Sequence, residues 1–517
     1  MGCVGALGRL SAICVISAGI HFVSAPELQA APMGRAVTDS GITSAVEEGL
    51  LFEKGVFTDD VDVSTSRGIV MLSGSLNNIL AKERAVKIAE SIRGVRGVID
   101  RISVAPVSRS DADTSKDIQA ALRLDPATEA YRVAVSVQSG VATLAGSVGS
   151  YAEKQLVARI AKGVKGIRDV RNDVAIDYLS KRTDLQIAAD VKARLQWDIW
   201  INGDSINAQV LDGRVALTGV VGSAIAKSRA FDDSWVNGVA FVDGTGLEVV
   251  PLAHDDARRK VKYATRSDSD IKQAIQAALH IDPRVAHFAP DVAIEAGEVI
   301  LGGSVGNLKA KTSAEQDAAN IVGVSGVDSH LRVRPNGRSS DAEMREQLKA
   351  VLTWDPLLDG SRVDVAVVGR VAHLSGTVGS ILQKAEAQDV ASRTKGILLV
   401  SNHLQVEPDF AISNYDWPDD SFYAESDCRL SSYCISGEFG PRLHLSDDRI
   451  RENIERGLFW NPFVRGDDVR VAVSGGVVTL AGTVGTWMGW REVDKRARSS
   501  GAIGVVNRVK IARSDTH

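Results

Sequence analysis

Six times along this chain a leucine is followed at one fixed distance by a glycine: Leu50 and Gly74, Leu122 and Gly146, Leu195 and Gly219, Leu279 and Gly303, Leu352 and Gly376, Leu458 and Gly482. The interval is twenty-four residues every time. The spacing from one such pair to the next is looser, about 70 to 105 residues, so a rigid unit is repeated with variable connections. A chain of 517 residues suggests three or four domains by length alone; the repeat replaces that with six smaller ones. Units of about 65 to 70 residues enclose a modest core, and such modules gain from leaning on their neighbours.

Each unit opens with a hydroxyl residue twelve positions before its leucine: Thr38, Ser110, Thr183, Ser267, Ser340 and Ser446. An aspartate follows directly, Asp39, Asp111, Asp184, Asp268, Asp341 and Asp447. A capping hydroxyl satisfies orphan amides and a carboxylate in the first turn complements the helix dipole, so a helix starts here. Apolar residues then recur every fourth position, as in Ile187, Val191, Leu195 and Ile450, Ile454, Leu458; the second copy has Thr114 at the first of these positions. The helix stops at Leu122-Arg-Leu-Asp-Pro126, Leu279-His-Ile-Asp-Pro283, Leu352-Thr-Trp-Asp-Pro356 and Leu458-Phe-Trp-Asn-Pro462, since the residue before proline is pushed out of helical geometry.

Two alternating segments follow, joined by a glycine turn and ending in Gly-x-Val-x-Leu-x-Gly, for example Gly213 to Gly219 and Gly297 to Gly303. Period-two alternation on both sides of a glycine predicts a hairpin. The fifth copy places its turn glycine one residue early, at Gly369. A second helix opens on the capping residues Asn78, Ser150, Ser223, Asn307, Ser380 and Thr486, closes at Gly94, Gly166, Gly238, Gly323, Gly396 and Gly501, and leads to a last strand. The order helix, strand, strand, helix, strand predicts an α+β sandwich: tandem αββαβ units with two helices on one face of a three-stranded mixed sheet.

That order, with the aspartate of the first helix, Gly-x-Val-x-Leu-x-Gly, an alanine-rich second helix and Gly-Val-x-x-Val-x-Asn near the end, resembles the BON domain, named for bacterial osmotically inducible and nodulation proteins. The resemblance covers 38–106, 110–178, 183–251, 267–335, 340–407 and 446–513, with 252–266 and 408–445 as linkers or insertions. The third copy departs most, with Trp235-Val-Asn-Gly238 crowding its second helix and Gly244 and Gly246 in its last strand. The resemblance implies an envelope or periplasmic protein concerned with osmotic shock, binding to phospholipid surfaces, and without a catalytic centre or cofactor.

The residues add their own indications. Arg9, the apolar run Leu10 to Val23 and small residues at Ser24, Ala25, Ala30 and Ala31 read as an export signal over 1–31, which would remove Cys3 and Cys14. Cys428 and Cys434 then remain, an even pair suited to a disulfide in an oxidising compartment, with free thiols as the alternative. The net charge of -5 does not suit a nucleic-acid partner, so any anion-binding surface is local. Cations do cluster on second helices: Lys82, Arg84 and Lys87 in the first copy, Lys154, Arg159, Lys162 and Lys165 in the second. The sixth copy joins Trp487, Trp490, Arg491, Lys495 and Arg496. Cations near an anionic bilayer contribute up to about 1 kcal/mol each, and tryptophan favours the headgroup zone, so these residues are the candidate lipid contacts. A solvated charged face is the plainer reading of the same helices.

Other features read as structural. Gly302-Gly-Ser304-Val-Gly306 mimics a hydrolase elbow, but its counterparts carry Ser147, Val220, Thr377 and Thr483, and a nucleophile is not interchangeable in this way. The glycine-rich entry to the second helix could receive phosphate, although its capping side chains already use those amides. The histidines lack metal-ligand spacing, and Trp197, Trp354 and Trp460 are expected in their own cores. Multivalent attachment of an anionic membrane or envelope surface is the expected function, and a protein-interaction scaffold or periplasmic chaperone is the alternative. The sixth copy, beyond the 408–445 insertion, is expected to move independently of the other five.

Overall fold

In the computed structural model the described residues are 37–52, 61–129, 131–178, 180–251, 266–335, 337, 339–358, 363–378, 381–406, 446–464, 468–500, 502 and 504–511. The export signal, most of the 252–266 linker, and the 408–445 insertion with Cys428 and Cys434 lie outside them. The first helices are Asp39–Phe52, Asp111–Leu124, Asp184–Trp197, Asp268–Ile281, Asp341–Trp354 and Asp447–Trp460, each of 14 residues. The second helices are Ile79–Glu90, Tyr151–Lys162, Ala224–Asp233, Leu308–Ala319, Ile381–Arg393 and Trp487–Ser499. In every copy the middle strand runs antiparallel to the first and parallel to the last; in copy 1, Gly74 is opposite Val61 on one side and Ile102 on the other. The predicted αββαβ order is therefore the observed one, with a two-residue break in the last strand of copies 2, 4 and 5 as a local variation.

The aspartate at the start of the first helix does more than complement a dipole. Its two carboxylate oxygens accept the two main-chain amides of the hairpin turn, Asp39 from Arg67 and Gly68, Asp184 from Asp212 and Gly213, Asp447 from Gly475 and Gly476, at 2.7 to 2.9 Å. The same pair of bonds forms at Asp111, Asp268 and Asp341. Both turn residues have positive φ, the geometry of a type I′ turn. That accounts for the early glycine of copy 5, where Gly369 and Arg370 have φ of 57° and 66°: either turn position accepts a glycine.

Each copy encloses its own core, for instance Val46, Leu50, Val70, Leu72 and Ala85 in copy 1 and Ile275, Leu279, Val299, Leu301 and Ala314 in copy 4. Thr114, the polar exception in copy 2, is buried and donates to the carbonyl of Ser110 at 3.0 Å. The cores are joined rather than merged. Ala224 of copy 3 enters the copy 1 core, Ile79 of copy 1 enters that of copy 2, and Leu308 of copy 4 packs on that of copy 5. A separate apolar cluster, Ile199, Trp200, Ala319, Val322 and Met488, belongs to copies 3, 4 and 6 together.

The copies are docked in a nested order. The carbonyl that closes the first helix of copy 6, at Trp460, accepts the amide of Arg93 in copy 1 at 2.7 Å; Trp354 of copy 5 accepts Lys165 of copy 2 at 2.8 Å; Trp197 of copy 3 accepts Val322 of copy 4 at 3.0 Å. Donors and acceptors occupy equivalent repeat positions, so copy 1 pairs with 6, copy 2 with 5, and copy 3 with 4. Two sequence expectations are corrected here. Trp197 and Trp460 pack on the cores of copies 4 and 1, not their own, and Trp354 is half-buried at the wall between copies 2 and 5. Copy 6 is also not independent: Arg456 reaches Glu48 at 3.4 Å, Phe463 meets the Trp200 ring edge-on at 4.3 Å, and Arg491 reaches Gln316 at 3.3 Å.

Candidate functional site

The candidate lipid contacts fall into three groups. Lys82, Lys154 and Trp490 all stand thirty-two positions after their marker leucines and are half-buried. The Lys82 ammonium donates to the carbonyl of Ile102 at 2.6 Å and sits 3.2 Å from Asp100; the Trp490 indole N–H donates to the carbonyl of Val509 at 3.1 Å. Lys227 and Lys384 make the same bond to Leu247 and Leu404. This position fastens the second helix to the last strand, and a long side chain with a polar tip suits it because its stem stays on the apolar surface.

A second group joins copies. Lys162 pairs with Glu83 across the boundary of copies 1 and 2 at 2.5 Å, and Lys165 makes the main-chain bond to copy 5. Trp487 stacks on Trp490 with centroids 5.0 Å apart and packs against the shared cluster of copies 3, 4 and 6. Arg496, by contrast, lies over Gly457 of its own copy, filling the space in which a Cβ would stand.

Lys87, Arg159, Arg491 and Lys495 form the third group and are exposed. Three of them, Lys87, Arg159 and Lys495, line one cavity of about 470 Å³ at the meeting of copies 1, 2, 5 and 6, with Arg84 beside them. Its floor includes Leu80, Ile160 and Val351, and its far wall the copy 5 residues Asp355, Glu386, Asp389 and Arg393. Arg393 is held by Glu386 at 3.0 Å and Asp389 at 3.2 Å. Burial first, and then the charge of Glu386, pushes the Asp355 carboxyl up to about 7. Sequence reading found the cations but not their convergence, because the docking of copies is not written in any single repeat.

Among the described residues no group of three His, Cys, Asp or Glu side chains is placed to hold a metal ion, and no helix is long and apolar enough to cross a membrane. Ser304 is not in a turn: it opens a two-residue strand, Ser304–Val305, paired with Arg332–Val333, and the cap of the following helix is Asn307.

The geometry defines a class: a tandem array of small α+β modules, each with two helices on a mixed three-stranded sheet. The BON domain model matches residues 38–106, 110–178, 183–251, 267–335, 340–408 and 446–513, and the chain belongs to the BON-domain family. It is similar to osmotically-inducible protein Y of Escherichia coli strain K12, 32% identical over 149 residues that make up 28% of this chain and 74% of that protein. Two solved structures of CdsD, a structural protein of the type III secretion system of Chlamydia trachomatis, are also matched. The first is 14% identical, covering 43% of this chain and 97% of that one at a TM-score of 0.12. The second, its C-terminal domain, is 16% identical, covering 44% and 100%, also at a TM-score of 0.12.

Proposed function

We propose that this is an exported, non-enzymatic protein of the bacterial envelope that attaches to anionic phospholipid or other anionic envelope surfaces and acts in osmotic or envelope stress. The 32% identity to a protein named for osmotic induction, spanning two of the repeats' worth of chain, is the observation that carries the stress reading. Exposed cations at Lys87, Arg159, Arg491 and Lys495 support the anionic surface. Of the twelve candidate lipid contacts these four are the exposed ones; Lys82, Trp490, Lys162, Lys165 and Trp487 are half-buried and also take part in contacts within or between copies. Co-sedimentation of the full chain with phosphatidylglycerol vesicles and with neutral phosphatidylcholine vesicles tests it. Binding to the anionic vesicles that weakens with salt is expected, and absence of binding at low salt overturns it.

A protein-binding reading is favoured by a different observation. The outer sheet faces keep apolar side chains in solvent: Ile99, Phe241, Leu399 and Val506 on last strands are 46%, 44%, 57% and 42% exposed. Sheet edges with apolar flanks can add a partner strand. That reading predicts capture of extended polypeptides independently of lipid charge.

A further inference from the structure

The residue thirty-seven positions after the marker leucine lies on the second helix and reads Lys87, Arg159, Asp232, Gln316, Asp389 and Lys495 from copy 1 to copy 6. One fold tolerates both signs and a neutral amide at this position, so the module itself does not demand a cation. Four second helices, those of copies 1, 2, 5 and 6, bring this position to a single cavity: three carry a cation there, and the fourth carries Asp389, which is paired with Lys309 and Arg393. Lys87, Arg159 and Lys495 are exposed there, and no ion pair is formed by any of them among the described residues. Lys87 and Arg159 act on Asp232 of copy 3 only through the longer-range field.

The carboxylates of the same wall are already engaged. Glu83 is held by Lys162 at 2.5 Å, Asp125 by Arg284 at 3.3 Å, and Asp389 by both Lys309 at 2.5 Å and Arg393 at 3.2 Å. Glu386 is on Arg393 at 3.0 Å, and another lining cation, Lys395, is on Glu129 at 2.9 Å; Arg84 lines the same space, and the last lining carboxyl, Asp355, is pushed up to about 7 by burial first and then by the charge of Glu386. Among the described residues these pairs leave Lys87, Arg159 and Lys495 outside any ion pair, with Asp232 and Glu90 offsetting Lys87, and Asp232 offsetting Arg159, only through the longer-range field. Like charges gathered around one hydrated space repel, and an anion entering that space relieves the repulsion at three points together.

We propose that this cavity is a binding site for a small multivalent phosphate-bearing anion, held by Lys87, Arg159 and Lys495 from copies 1, 2 and 6. A guanidinium fork grips two phosphate oxygens at once, and two ammonium groups add point charges, a combination that suits phosphate groups better than a single carboxylate. A volume of about 470 Å³ is in the range of small-molecule sites and holds a di- or triphosphate, or one phospholipid headgroup. The site exists only in the docked assembly, since no one copy supplies more than one of the three cations. It does not depend on the membrane reading, because a soluble anion satisfies the same chemistry.

Calorimetric titration of the full chain with inorganic triphosphate at low salt tests the site. A single saturable event is expected, weakening as salt is added, and Lys87→Gln/Arg159→Gln/Lys495→Gln should lower the affinity by at least ~10-fold. Arg491→Gln, which removes a cation outside the cavity, should leave the affinity unchanged. Unfolding midpoints of all variants are compared first; if the triple variant is not folded, Lys495→Gln alone, at an exposed position, is expected to weaken binding measurably. No saturable binding by the parent chain, or equal affinity in parent and triple variant, overturns the proposal. Vesicle co-sedimentation of the triple variant then separates the sources. Loss of binding to phosphatidylglycerol vesicles along with triphosphate identifies a headgroup as the occupant, whereas retained vesicle binding with lost triphosphate binding identifies a soluble phosphate and leaves the membrane surface elsewhere.

Discussion

Lys165 donates its main-chain amide to the main-chain carbonyl of Trp354 at 2.8 Å, a bond that joins copy 2 to copy 5 beside the Lys395–Glu129 ion pair. It satisfies a carbonyl at the end of a first helix, one of the groups every helix leaves without an internal partner. Arg93 with Trp460 and Val322 with Trp197 repeat it, so the ends of three first helices are capped in trans by other copies. The tryptophan side chains then cover the joint. Copies 3, 5 and 6 bring the indole, and copies 4, 2 and 1 receive it.

Trp460→Ala should therefore act on assembly more than on the fold of copy 6. The ring touches the copy 1 core, and a Cβ on Gly41 would stand 3.1 Å from it, so the fit leaves no slack. Removing a large aromatic side chain from a packed site costs about 3 kcal/mol, toward the lower end here because the ring is only half-buried. The expected outcome is a larger radius of gyration in solution scattering and faster proteolysis between copies 5 and 6, with unchanged circular dichroism. A radius equal to that of the parent would contradict the nested arrangement.

Asp184→Ala removes both bonds that tie the hairpin turn of copy 3 to its first helix, at 2.8 Å to Asp212 and 2.9 Å to Gly213. Charge-assisted bonds contribute about 1.5–3 kcal/mol each when sheltered, and less where one is exposed, so a local loss of about 2 kcal/mol is expected. Hydrogen exchange reads it directly. The Asp212 and Gly213 amides should exchange about 30-fold faster, while amides of copy 5 should be unchanged.

These ties mark the limit of what could be read from the chain. The αββαβ order was legible because caps, prolines and alternation are local signals. The fixed leucine-to-glycine interval has a structural cause as well: Gly146, Gly219 and Gly482 have φ of 139°, 124° and 132°, and a Cβ at Gly482 would lie 2.0 Å from the carbonyl oxygen of Asp468. The constant distance from aspartate to turn, 39 to 67 and 184 to 212, was also present and could have suggested a contact. The docking of copies left a weaker trace, tryptophan at one register in three copies out of six. A single indole looks like core from sequence, because partial burial against a neighbour and full burial at home select the same residue. Lys82 and Trp490 mark a related limit: a cation or indole on a helix face announces its polar tip, not whether a strand carbonyl lies within its reach.

Stability should fall as pH rises through neutrality, because Asp233 is held protonated more easily in the fold than out of it. Burial, and then the charge of Asp198, pushes its carboxyl from 3.8 up to about 7, against the opposing pull of Arg194 at 3.1 Å and of Arg229. A raised acid favours the folded state below its unfolded value, and that contribution is lost as pH climbs through the folded one. Asp355, also raised to about 7, adds the same sign. Asp233→Asn should flatten the decline between about pH 5 and about pH 8 in chemical denaturation, and a variant with the parent's slope would remove Asp233 as its source.

The deepest ion pair between copies gives the sharpest energetic contrast. Arg284 of copy 4 and Asp125 of copy 2 are 9% and 7% exposed and 3.3 Å apart. Arg284→Met leaves the carboxylate buried with only the more distant field of Arg393, which should cost about 3 kcal/mol, the lower part of the range for breaking a buried pair. Asp125 also accepts the Ala127 amide at 2.9 Å as it ends its helix, a task that asparagine performs equally: Asn461, its counterpart in copy 6, accepts the Phe463 amide at 2.8 Å. Arg284→Met/Asp125→Asn should therefore recover most of the loss, since the charge is gone and the cap is kept. Denaturation of the single and double variants decides it, and equal destabilisation in both would mean that Arg284 contributes through packing rather than by neutralising Asp125.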